Sequence, residues 1–180
     1  MRLQPGSPTR ACAGFTLIEV LVALFVVALG IGGAAALQTL AVRSARAAAH
    51  MADGTRLARS LAERMRANPR ALARPDADNP YLLLDYDAGS GAPAASALCY
   101  ADATCDPDAL ARFDVFEVAE AVAANFPGGR IRVCRDTGSP AWACDAEAGA
   151  SLVVKLGWRE GDDRVADAPR LVLPLAGAQP

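Results

Sequence analysis

One histidine, His50, serves the whole 180-residue chain, which excludes a His-based metal cluster and any catalytic triad that relies on histidine. Also missing are the nucleophile elbow of a hydrolase, the phosphate-cradling loop of a nucleotide enzyme and the spacings of a common zinc site. No A-x-A-like cleavage site follows the apolar N-terminal run at the distance a secretory signal requires. These gaps argue for a protein that is not an enzyme, with no catalytic residues, no metal and no cofactor. The net charge of −2 excludes a uniformly basic nucleic-acid binder. An apolar share of 53% excludes a chain too polar to fold, although alanine, which buries little surface, makes up much of it.

The near-neutral total hides a division. Residues 1–14 carry +2, residues 15–74 carry +5 and residues 75–180 carry −9. From Val20 to Leu37 the chain reads VLVALFVVALGIGGAAAL, eighteen residues without a charge. Widened to Phe15–Val42, the run has 28 residues and one charge, Glu19. As a helix rising about 1.5 Å per residue it reaches roughly 42 Å, enough to cross a hydrocarbon core of about 30 Å. It exceeds the roughly 7–15 apolar residues of a secretory signal. Arg2 and Arg10 precede it and hold the N-terminus in the cytoplasm by the positive-inside rule. A plain anchor accounts for that orientation but not for Glu19, since a carboxylate in lipid costs about 2.5–3.5 kcal/mol.

The helical signal continues beyond Val42 in a more polar form. Residues 43–68 are rich in good helix formers, with Leu57, Leu61 and Met65 on one apolar stripe and Arg56, Arg59 and Arg66 pointing elsewhere. Arg59 and Glu63 are spaced for an i,i+4 ion pair. Asn68 before Pro69 ends the run, because the residue before proline avoids the helical region. Gly30, Gly32 and Gly33 interrupt its apolar half; close helix packing in a membrane and a local weak point both account for them. The basic excess of residues 43–74 reads as a solvated helix face, and His50 as a surface or helix-face position.

Further on, Pro75-Asp76, Asn79-Pro80 and Gly89-Ser90-Gly91 mark turns, and Tyr81–Tyr86 is either a strand or a packed loop. Asp106-Pro107 supplies a helix start, and Leu110, Phe113, Val118 and Val122 form a stripe up to Asn125. Three strand-like runs follow at Arg130–Arg135, Ser151–Trp158 and Arg170–Leu175. Together they predict a small antiparallel sheet packed on the stripe of the long helix.

The heptapeptide Gly14-Phe15-Thr16-Leu17-Ile18-Glu19-Val20 resembles the class III signal of type IV pilins and type II secretion pseudopilins. The resemblance implies cleavage after Gly14 by a prepilin peptidase, methylation of the new N-terminus at Phe15 and retention of the apolar segment. Glu19 becomes the fifth mature residue, and its implied role is subunit assembly through contact with the Phe15 amine of a neighbour. Desolvation offsets much of such a pair's attraction, so it sets register more than it adds stability. Ala36-Leu37-Gln38, Leu61–Pro69, Phe126–Gly129 and the strand ending at Trp158 are similar to the PilV-type minor pilins, the type IV pilus modification proteins.

That similarity implies an α+β, type IV pilin-like fold, with a long N-terminal helix packed on a small antiparallel sheet. Its divisions are a cleaved leader (1–14), a hydrophobic polymerisation half of the helix (15–42), an amphipathic half (43–69) and a globular domain (70–180). The implied protein spans the inner membrane once, N-terminus cytoplasmic and C-terminal domain periplasmic, and passes into a pilus on assembly. Its implied partners are other minor pilins, the major pilin, the prepilin peptidase, the inner-membrane assembly machinery and the lipid bilayer, with no nucleic acid. The function implied is co-assembly in the initiation or tip complex of a type IV pilus. A minor pseudopilin of type II secretion and an anchored binding or adhesion domain that never polymerises are the alternatives.

Of five cysteines, Cys12 leaves with the leader, and the mature chain keeps Cys99, Cys105, Cys134 and Cys144. An even number in a translocated domain reads as two disulfides. Three connectivities are open. Cys99–Cys105 with Cys134–Cys144 is favoured, because each bond closes a local loop in a turn-rich segment, worth roughly 2–3 kcal/mol.

Overall fold

A computed structural model of the chain describes residue 14 and residues 16–100, 103–145, 150–160 and 168–175. The expected leader up to residue 13, the expected methylation position Phe15 and Cys12 lie outside the described residues. The chain divides into two compact units, Met1–Ala45 and Arg46–Pro180.

Helix α1, Leu17–Ala67, begins in the first unit and continues into the second. Thr16 starts it: its carbonyl accepts from the amides of Glu19 at 3.1 Å and Val20 at 3.3 Å, and its Oγ1 accepts from Glu19 N at 3.4 Å. Glu19 lies in the first turn, where the positive end of the helix dipole favours an acid. Every residue from 16 to 46 is exposed, including Leu21, Leu24, Phe25 and Val26. The helix runs unbroken through Gly30, Gly32 and Gly33, around which a Cβ would meet nothing within 4 Å. This stretch is long and apolar enough to cross a membrane.

In the second unit, α1 buries Gly54, Ala58, Leu61, Ala62 and Met65. The predicted stripe thus holds at Leu61 and Met65, whereas Leu57 is only half-buried and small residues fill the rest. They are small because the sheet comes close: a Cβ on Gly54 would stand 2.9 Å from Leu156 Cδ2 and 3.4 Å from Trp158. Glu63 takes Arg66 as its partner at 2.5 Å rather than Arg59. Asn68 does end α1, but its Oδ1 also accepts from Ala71 N and caps a short second helix, α2, Pro69–Leu72.

Helix α3, Pro107–Asn125, starts where proline follows a capping acid, with Asp106 Oδ1 accepting from Ala109 N at 2.7 Å. It stops at Phe126, before Gly128 turns the chain with φ of 54°. The four strands are β1 (Asp85–Asp87), β2 (Arg130–Asp136), β3 (Ser151–Gly157) and β4 (Leu171–Pro174). They pair antiparallel in the order β1-β2-β3-β4. Ile131, Val133, Leu152, Val154 and Leu156 point from one sheet face into the core shared with α1 and α3. Within Tyr81–Tyr86, the first residues form a turn that buries Tyr81 and Leu84, and only its end enters β1. The α+β, pilin-like architecture expected from the sequence is the one observed.

Candidate functional site

Three groups of residues bear chemistry. The first is the start of α1. Gly14 and Glu19 are both exposed, and apolar side chains follow Glu19 without interruption to Leu37. A helix with apolar side chains around its whole circumference has no water-facing side, so its environment must be lipid or other apolar helices.

A second group sits where α1 leaves the core. Arg64 pairs with Glu117 and, at 3.1 Å, with the buried Asp114 of α3. The hydroxyl of Tyr81 donates to Asp114 Oδ2 at 2.8 Å. Asn68 Nδ2 donates to the carbonyl of Pro107 at 2.7 Å and to Tyr81 Oη at 3.4 Å. Burial and the bond to the Asp114 carboxylate push the Tyr81 phenol well above its usual range. Burial works against the Glu117 carboxylate, but hydrogen bonds from Tyr100 and Arg64 outweigh it and hold its pKa below the usual value. This network joins α1, α3 and the turn before β1. His50, expected at the surface or on a helix face, is half-buried on α1 with its ring 6.0 Å from Phe126 and 6.1 Å from Trp158.

The cysteines form the third group. The structure bonds Cys99 to Cys105, with Cα atoms 5.9 Å apart, and Cys134 to Cys144, 6.3 Å apart. The second bond pins residues 137–145 across the sheet face that carries Arg130, Arg132, Cys134 and Asp136. Thr137 donates to Asp145 from its amide at 2.8 Å and from its hydroxyl at 2.7 Å. The Trp142 ring lies under the Arg130 guanidinium at 4.5 Å, and its carbonyl accepts from Arg132 at 3.2 Å.

Beneath that segment lies Lys155 of β3, with no exposed surface. Its Nζ donates to the carbonyls of Ala141 at 2.8 Å and Ala143 at 2.6 Å, and pairs with the buried carboxylate of Asp136. The directed bonds go to the carbonyls, so its attraction to Asp136 Oδ2 is a pairing of charges. Sequence reasoning missed this arrangement, although a signal was present. Lys155 is the only lysine among 18 basic residues and stands inside an otherwise apolar strand.

Apart from these groups, an open, mainly apolar groove of about 390 Å³ lies between α3 and the segment after β1, lined in part by Leu83, Tyr86, Pro93 and Phe116. Among the described residues, no group of three or more His, Cys, Asp or Glu side chains could hold a metal ion.

Fold and exposed apolar helix together match the type IV pilin-like α+β architecture, that of a structural, non-catalytic class. Two family models agree. A prokaryotic N-terminal methylation motif matches residues 9–35, and a model described as type IV pilin Tt1218 matches residues 36–116. The second match covers the docked part of α1 through the first half of α3 and leaves out β2, β3, β4 and the Cys134–Cys144 segment. No curated protein and no solved structure matches the chain.

Proposed function

We propose that this chain is a minor pilin of the PilV type that co-assembles in the initiation or tip complex of a type IV pilus. The observation that carries the reading is the exposed apolar helix from Leu17 to Val42, whose one charge is Glu19, beginning shortly after Gly14. An ordinary anchor has no use for a carboxylate there, whereas a subunit packing against copies of the same helix can pair it with a neighbour's amine. A prepilin peptidase cuts after Gly14, and Phe15 becomes the methylated N-terminus. The C-terminal unit faces the periplasm, and other minor pilins, the major pilin and the inner-membrane assembly machinery are its partners. The match to a type IV pilin model favours a pilus over a type II secretion pseudopilin.

The test is Glu19→Ala with membrane levels matched to wild type. Removing the charge eases insertion into lipid, so cleavage and membrane retention should persist while the amount of protein in sheared filaments falls severalfold. Glu19→Asp should fall between. Wild-type incorporation of Glu19→Ala would overturn the pairing, and absence of the wild-type protein from filaments would overturn the pilin role. Mass spectrometry of the membrane form should find methylated Phe15 at the N-terminus.

A further inference from the structure

We propose that the Cys134–Cys144 disulfide is a gate: it holds residues 137–145 as a strap over Lys155, and its reduction opens that face of the sheet to solvent. The inference is independent of the proposed role in a pilus. A lysine with no exposed surface is costly unless each of its donors is met. Here both hydrogen-bond acceptors, the carbonyls of Ala141 and Ala143, belong to the strap rather than to the sheet. The burial of Lys155 therefore depends on the strap staying down. Asp136, which pairs with Lys155 by charge alone, lies on β2 and remains in place when the strap lifts.

The strap has little apolar surface of its own to keep it closed. Trp142 is its one large side chain, and that ring rests on Arg130 and close to Gly157, where a Cβ would stand 2.8 Å from Trp142 Cζ2. Polar bonds add to this: Arg132 donates to the Trp142 carbonyl, and Thr137 and Asp145 bond to each other within the strap. With the disulfide intact, opening must proceed around a tether at Cys144. The bond closes a loop with a sequence separation of 10, and by chain entropy its loss favours the open form by about a hundredfold. Opening exposes Lys155 beside Arg130 and Arg132, so the redox state of one bond decides whether three cations face water together. An ammonium suits the closed state because it is compact and meets two carbonyls and a carboxylate charge from separate directions, which a planar guanidinium does not.

Because Lys155 is the only lysine, side-chain acylation of the full chain in detergent reports on one site. Brief exposure to sulfo-NHS-acetate, read by peptide mass spectrometry, should leave Lys155 protected in the oxidised protein. Reduction of the folded wild type with a phosphine, or Cys134→Ala/Cys144→Ala, should raise its acylation rate about a hundredfold. Cys99→Ala/Cys105→Ala should leave the rate at the wild-type level. Hydrogen exchange on the same samples should keep the amides of Ala58–Met65 protected, marking the opening as local. Equal rates with and without the Cys134–Cys144 bond would overturn the proposal. Labelling that rises only together with exchange at Ala58–Met65, or equally in the Cys99/Cys105 variant, would also overturn it.

Discussion

Asp114 serves two partners at once, the Tyr81 hydroxyl and Arg64. Asp114→Ala leaves the Tyr81 hydroxyl and one side of Arg64 unmatched, which should cost about 2 kcal/mol, read as a lower midpoint in urea at unchanged m-value. Tyr81→Phe should cost about 1 kcal/mol. It should also abolish an alkaline effect: the Tyr81 phenol is raised in the fold, so its stabilisation is complete below the ordinary value of 10.0 and lost as pH rises through the folded value. Urea midpoints measured through that range should fall in wild type and stay flatter in Tyr81→Phe. Gly54→Val should cost about 1–3 kcal/mol through overpacking, since even a Cβ meets Leu156. Tyr81 fell within a run read as a strand or a packed loop, but the roles of Asp114 and Gly54 were not legible beforehand. The acids of residues 75–180 read as solvated surface, and the cation that the buried Asp114 meets, Arg64, stands fifty positions away. Lys155 was concealed by the same logic, because a charge in an alternating strand reads as a solvent-facing position until a second segment covers it.

Elements that punctuate themselves locally were readable. Asp106-Pro107 opens α3, and Phe126 with the glycines behind it closes it, so the expected bounds match the observed Pro107–Asn125. Asp106→Ala should cost about 1 kcal/mol, measured by thermal melting of the globular unit. The three apolar strands were also found within a residue or two, since their periodicity is intrinsic. β1 was not resolved from the sequence. Its residues, Asp85-Tyr86-Asp87, have no apolar alternation, and pairing with Arg130, Ile131 and Arg132 of β2 makes them a strand. Asn68 shows a similar limit: proline ends one helix there, while the side-chain cap that begins the next depends on how the chain bends.

At the scale of the molecule, the boundary at Arg46 leaves the sheet, α3 and the buried part of α1 in one unit. Residues 46–180 expressed alone in an oxidising compartment should therefore fold, with a cooperative melt and no free thiol at Cys99, Cys105, Cys134 or Cys144. Their acid limb follows from two depressed carboxylates. Asp145 is held at about 2 by its hydrogen-bonded contact with Asp136 and then by Thr137, and Glu117 lies below its ordinary 4.5. Stability from both is present above their unfolded values and drains away as pH falls through about 4.5 toward 2. The borders of the sheet have a further consequence. β1 ends after three residues in a tight turn, and β4 ends after four in Pro174, which has no amide hydrogen to donate. Neither rim offers the long, flat row of unpaired amides and carbonyls that templates amyloid-like stacking. A protein confined to the plane of a bilayer meets its own copies at high local density, and with rims this short such crowding should not drive it to aggregate by edge-to-edge strand addition.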